Sequence, residues 1–282
     1  MSKVPPLLEP LLGQLPPEAA LAVVTSVLGA SANWLVLLWV HALLGRGRRQ
    51  RGRDELEAGD DGDGVAVVLV SFMRDGAFWR EGAARIGLDL DALARAGRFV
   101  LVDGLSALFA PAALKDSGAS VLGSGRLDDV RRGIEEALGA VGGGGGGGAR
   151  TVLVVDQVDA LLAAAEGATS LGVQGMLLAL RERVHATILT LAADGPLLQA
   201  PPATGLEREH AALVLSQAHA ARAVVALRRL DTGAARDVSG VVRVAVRGDD
   251  GYGDGDADAD ADVEYLYHVA GDGAVRVFER GA

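Results

Sequence analysis

Residues 19–44 read AALAVVTS, VLGASAN, WLVLLWVHALL: an apolar strand, a short Gly/Ser/Asn turn and an apolar helix. Strand, glycine turn and helix in that order frame a nucleotide-phosphate loop. Its pattern G-x-x-x-x-G-K-[ST] brings a Lys and a hydroxyl to phosphates and magnesium. Here Gly29-Ala30-Ser31-Ala32-Asn33-Trp34 fills the slot, with no Lys and no following Ser or Thr. The large apolar Trp34 stands about where the phosphate-binding lysine belongs. The frame predicts a motor-ATPase architecture from which the chemistry is missing, so Gly29, Asn33 and Trp34 are read as positions of a degenerate nucleotide site.

The same stretch also passes for a membrane anchor. It runs 26 residues without a charged side chain, and Arg46, Arg48, Arg49, Arg51 and Arg53 follow it. About 20 apolar residues with a basic flank describe a transmembrane helix. Thr25, Ser26, Ser31, Asn33 and His41 interrupt the run, however, and Gly29 falls near its middle. A buried strand followed by a buried helix gives the same hydropathy, and that soluble α/β reading is preferred. The start MSKVPPLLEP, with one Lys and several Pro, makes a poor signal peptide.

Working outward, short near-continuous runs of Val, Leu and Ile predict strands at 21–25, 65–71, 99–102, 152–156, 187–191 and 224–227. The first five are separated by stretches long enough for crossover helices. That predicts a mostly parallel, right-handed, doubly wound α/β sheet. Residues 126–141 place Leu127, Val130, Ile134, Ala137, Leu138 and Val141 on one helical face. Thr204-Gly-Leu-Glu207 matches a capping box and opens a helix carrying Leu206, Leu213 and Val214. Beyond residue 240 the period becomes two, at 241–247, 264–269 and 274–278, which predicts an antiparallel meander closing the sheet.

Three low-complexity inserts interrupt this scheme: the Arg-then-Asp segment 46–64, the seven glycines of 142–148, and the Asp/Gly/Ala tract 249–262. None disturbs the order of strands, so residues 1–282 read as a single domain with floppy connections. The inserts also explain the net charge of −10. Residues 54–63 carry six acids, residues 249–262 carry seven, and residues 46–53 carry five arginines. Setting them aside leaves 24 acids against 22 bases, a nearly neutral body. The overall acidity therefore says nothing against a nucleic-acid partner, which depends on local basic patches.

Half of the 282 residues are hydrophobic but only 4% are aromatic, so the core is expected to be Leu, Val and Ala. There is no cysteine, which removes disulfides, thiol catalysis and cysteine-ligated zinc, in agreement with a reducing compartment. Val152-Leu-Val-Val-Asp156 has the shape of a strand whose terminal Asp holds magnesium in an NTPase. Without a lysine or hydroxyl on the first loop, Asp156 is read as capping the next segment or facing a neighbouring subunit. Asp159 follows one turn later.

The alternation Asp254-x-Asp256-x-Asp258-x-Asp260 lacks the Gly and Glu of a calcium loop. His41, His185, His210, His219 and His268 show no close metal-binding spacing, and no G-x-S-x-G marks a nucleophile. Neither a metal nor a cofactor is expected. The densest polar signal is the loop 227–240, LRRLDTGAARDVSG. It leaves a buried strand, where α/β folds place binding loops. Arg228, Asp231, Arg236, Asp237 and Ser239 are its candidates for a subunit interface or RNA contact, beside the plainer reading of a solvated connection.

Several long, ordered stretches carry a family resemblance. They are TSVLGASANWLV (25–36), VSFMRDGAFWREGAARIGLDL (70–90), VDGLSALF (102–109), VVDQVDALLA (154–163), LRRLDTGAARDVSGVVRV (227–244) and VFERG (277–281). Through them the chain resembles the family of sixth subunits of the Elongator complex, RecA-like proteins of its accessory ring. The resemblance implies a RecA-type fold without Walker motifs. It also implies a heterohexamer with two copies each of subunits four, five and six, attached to the catalytic Elongator core.

That assembly supports modification of the wobble uridine of tRNA, and the ring is associated with tRNA binding and nucleotide-sensitive release. The catalytic chemistry belongs to another subunit. The implied partners are subunits four and five, the core and tRNA, with no membrane. The implied location is the cytoplasm, with the nucleus as a second compartment. Two other readings stand beside it: an active RecA-like ATPase with an unconventional phosphate loop, and a membrane-anchored protein using segment 19–44.

Overall fold

A computed structural model describes residues 3–50, 64–106, 120–141, 150–199, 204–230, 233, 235–247 and 261–280. Ten strands among them form one sheet in the order β10-β9-β8-β7-β1-β6-β5-β2-β3-β4. In chain order these are β1 (Leu21–Ser26), β2 (Val65–Ser71), β3 (Phe99–Asp103), β4 (Ser120–Val121) and β5 (Arg150–Asp156). Then come β6 (Ala186–Ala192), β7 (Ala223–Arg228), β8 (Gly240–Val246), β9 (Ala261–Val269) and β10 (Val275–Phe278). Strands β1 to β7 pair in parallel, and β8, β9 and β10 add an antiparallel meander at the β7 edge.

Two periodicities build the layers. Every residue of β1 and of β2 is buried, so the alternating pleat feeds two separate cores. Val65, Val67 and Leu69 face one core; Ala66, Val68 and Val70 face the other. The first core is covered by α2 (Asn33–Gln50), α3 (Gly76–Arg85) and α4 (Leu90–Arg95). A 3-10 turn (Pro6–Leu8) and the short α1 (Glu9–Leu12) add Leu8 and Leu12 to that core.

The second core is covered by α5 (Leu127–Ala140), α6 (Ala160–Ala164), α7 (Ser170–Arg181) and α9 (Gly205–Ala220), with α8 (Gly195–Gln199) before α9. On α5, Val130, Ile134 and Ala137 are fully buried while Leu127 and Leu138 pack at the margin. The capping box forms as expected: Glu207 N donates to Thr204 Oγ1 at 3.3 Å and Thr204 N to Glu207 Oε2 at 2.6 Å. Of the three apolar residues assigned to that helix, Leu213 and Val214 are buried and Leu206 is exposed.

The stretch 19–44 is divided between β1 and the first turns of α2, on either side of a turn. No helix among the described residues is long and apolar enough to cross a membrane. Strand β9 begins at Ala261, so the last two residues of the acidic tract belong to the sheet, and Arg243 of β8 forms an ion pair with Asp262. The seven glycines of 142–148 lie outside the described residues, as do residues 51–63 and 248–260.

This topology positions the site. Neighbouring strands β1 and β6 send their helices to opposite faces, α2 to the first core and α9 to the second. Loops diverging from adjacent strands leave a crevice at the carboxyl ends, where open α/β sheets bind their ligands.

Candidate functional site

Asp156 ends β5 in the middle of the sheet and is 1% exposed. Its neighbours across the sheet decide its state. Ser71, the last residue of β2, is in register with it and donates from Oγ to Asp156 Oδ2 at 2.9 Å. Thr190 of β6 donates from Oγ1 to Asp156 Oδ1 at 2.8 Å. Thr190 Oγ1 also accepts from Gln157 N at 2.8 Å, and Ser71 Oγ accepts from Arg74 N at 3.1 Å. Burial pushes the Asp156 carboxyl above its ordinary value, against the opposing pull of the Thr190 and Ser71 hydrogen bonds and of the Arg74 charge. Both carboxylate oxygens thus have internal donors, and the group ties three strands together at their carboxyl ends.

Gln157 follows with φ +56°, a left-handed backbone that bulky residues rarely adopt. Its main-chain and side-chain donors both reach Thr190, which holds it there. Two residues on, Asp159 is 8% exposed, and its Oδ2 accepts from Ala192 N at 3.2 Å. His210 of α9 faces it, with Nδ1 3.8 Å from Asp159 Oδ2. The other ring nitrogen, Nε2, lies 2.9 Å from Ala192 O. A carbonyl only accepts, so Nε2 carries a hydrogen. Among the described residues Asp159 Oδ1 has no hydrogen-bond partner, and burial raises the Asp159 carboxyl as well. On β3, the buried Asp103 accepts from Leu105 N at 2.9 Å and from Ser106 N and Oγ at 2.7 Å each.

The degenerate loop is a compact turn. Ala30 N donates to Val27 O at 2.8 Å, and Gly29 takes φ +86°, which glycine allows without a Cβ clash. Leu28 N donates to Asp194 Oδ1 at 2.8 Å, and Asn33 N to Ser31 Oγ at 3.2 Å as α2 begins. Trp34 does not point at this turn. It is buried in the first core against Tyr267 of β9, with ring centroids 4.9 Å apart and planes at 33°. Its position beside the loop in sequence therefore corresponds to a packing role on the meander.

The loop candidates separate into three kinds. Arg228 belongs to β7 and forms an ion pair with Glu264 of β9 at 2.5 Å. Ser239 is also structural: its N donates to Tyr267 O at 2.8 Å and its Oγ accepts from Val269 N at 3.0 Å. Arg236 and Asp237 are exposed. Asp231 lies outside the described residues. Gly233 takes φ +95°, whereas Gly240 is needed for space: a Cβ there would fall 2.5 Å from Arg228 O.

Sequence reading located Asp156 but missed Ser71, Thr190, Asp194 and the Asp159–His210 pair. No spacing rule links residues as distant as Ser71 and Asp156, 85 positions apart, until the strand order is known. Among the described residues no group of three or more His, Asp or Glu is placed to hold a metal ion.

No protein-family model matches the chain, and no curated protein matches it. Among solved structures it is similar to a KaiC-like protein from the hyperthermophilic archaeon Pyrococcus horikoshii OT3. The TM-score is 0.56 at 16% identity, over 98% of this chain and 97% of that one. The fold is of the KaiC-like, RecA type. At that identity the likeness carries the architecture and leaves function to the site itself.

Proposed function

We propose that this chain is a non-catalytic RecA-type subunit of the Elongator accessory heterohexamer, supporting wobble-uridine modification of tRNA through ring assembly and tRNA binding. The observation that carries the reading is the state of Asp156. Where a RecA-type nucleotide site needs a carboxylate open to magnesium, both oxygens here accept from Ser71 and Thr190. The turn before α2 adds no lysine or terminal hydroxyl. The family-like stretches supply the assembly. An active ATPase would need Asp156 released and a different cation at the phosphates. A membrane anchor at 19–44 would need one continuous helix, where the chain has β1, a turn and α2.

Tagging the full chain and identifying the proteins that co-purify tests the proposal. Recovery of Elongator subunits four and five with the catalytic core supports it. A folded chain that recovers none of them overturns it. Within the assembly, Arg236 is an exposed arginine of the β7–β8 loop, able to pair with carboxylate or phosphate in a planar fork. Arg236→Glu is expected to weaken ring assembly or tRNA affinity without changing the melting temperature. If RNA is its partner, the loss shrinks as salt rises. Unchanged assembly and unchanged tRNA affinity would reduce the loop to a connection.

A further inference from the structure

The turn between β1 and α2 opens an 18-residue helix at the carboxyl end of the sheet. The chain enters that turn at Leu28, just ahead of the Gly29–Trp34 slot, and the N–H there is already taken. Leu28 N donates to a carboxylate oxygen of Asp194, a residue 166 positions away. The approach is fixed by the sheet: Ala193 N donates to Ser26 O at 2.8 Å, carrying the β1–β6 pairing one residue past the end of β6.

Asp194 also directly precedes α8, where an Asp side chain ordinarily caps the second or third helical N–H. The second residue of α8 is Pro196, which has no N–H, and Leu197 N bonds the Asp194 main-chain carbonyl at 2.9 Å. The carboxylate is thereby released to cross to the turn. On the other side the Arg229 side chain lies over the turn, so that a Cβ on Gly29 would come 3.2 Å from Arg229 Cδ. Leu28, held by its N–H, projects its side chain outward and is 84% exposed.

We infer that Asp194 is a built-in anion that holds the degenerate phosphate loop shut. Its oxygen pins the residue that enters the loop, and its charge offsets that of Arg229 over the same turn, so an incoming anion finds no net attraction there. Closure is thus a positive feature of the fold, separate from the missing lysine, and independent of whether the chain joins a ring.

Hydrogen–deuterium exchange and thermal melting of the full chain, with inorganic phosphate as the probe, test this. In Asp194→Ala the Leu28 amide exchanges about tenfold faster, the scale of one lost hydrogen bond to a charged acceptor, while Val23 and Val24 stay protected. Phosphate leaves the wild-type midpoint unchanged and raises that of Asp194→Ala. Asp194→Asn keeps an acceptor and loses the charge; it retains part of the Leu28 protection and still gains a phosphate response. If the alanine variant does not fold, the asparagine variant carries the test. Leu28 exchange equal to wild type in Asp194→Ala, or no phosphate response in the asparagine variant, or a phosphate response already present in wild type, would overturn the inference.

Discussion

Asp156 is held by hydroxyls from two neighbouring strands, and that arrangement predicts how it responds to substitution and to pH. Its folded-state carboxyl is raised above the ordinary value of about 3.9. The native state therefore binds the proton more tightly than the unfolded chain does. The associated stability is fully present below the unfolded value and is lost as pH rises through the folded one. Asp159 shifts in the same direction for the same cause, burial. Urea unfolding followed upward from pH 4 should show stability falling with pH, and Asp156→Asn should flatten that slope. Asparagine keeps an acceptor for one hydroxyl and donates to the other, so the fold survives. Asp156→Ala instead strands the Ser71 and Thr190 hydroxyls in the core and should cost about 1–3 kcal/mol. A steeper pH slope in Asp156→Asn would contradict this account.

At the level of elements, period and capping were legible in the chain, while long-range pairing was not. The six long parallel strands follow from their apolar runs, and β8 to β10 from their alternation. The two-residue β4 has no such run, being Ser120 and Val121 at the outer edge. Trp34 shows the limit best. Its place after the glycine turn suggested a pocket residue, but the turn of α2 carries it inward onto the meander, whose position depends on strands more than 200 residues downstream. The site was half legible for the same reason. Asp156 ends a readable strand, whereas its donors are set by which strands become neighbours. Trp34→Ala should therefore destabilise the protein by about 3–5 kcal/mol, the range for deleting a buried aromatic ring. Exchange of β9 amides such as Tyr267 should rise with it. A loss confined to the β1–α2 turn, with β9 protection intact, would return Trp34 to the loop.

Across the whole molecule, the sheet and its two cores are continuous in space, and apart from residues 46–50 in α2, Gly64 and residues 261–262 in β9 the low-complexity tracts lie outside the described residues. Removing residues 54–63, 142–148 and 251–260 deletes acids, glycines and alanines with one leucine and one tyrosine, and none of the residues of the two cores. Loop length enters stability only logarithmically, at about 0.6 kcal/mol per doubling. The shortened chain should melt within a few degrees of the full one and assemble equally; a large drop would give the tracts a structural role. The central claim is that this RecA-type fold has closed its nucleotide position from within, by Asp156 toward magnesium and by the β1–α2 turn toward phosphate. Calorimetric titration of magnesium-ATP into the full chain tests it most directly. The account predicts no binding heat at micromolar concentrations, in wild type and in Asp156→Ala alike. Micromolar affinity in wild type that disappears in Asp156→Ala would contradict it.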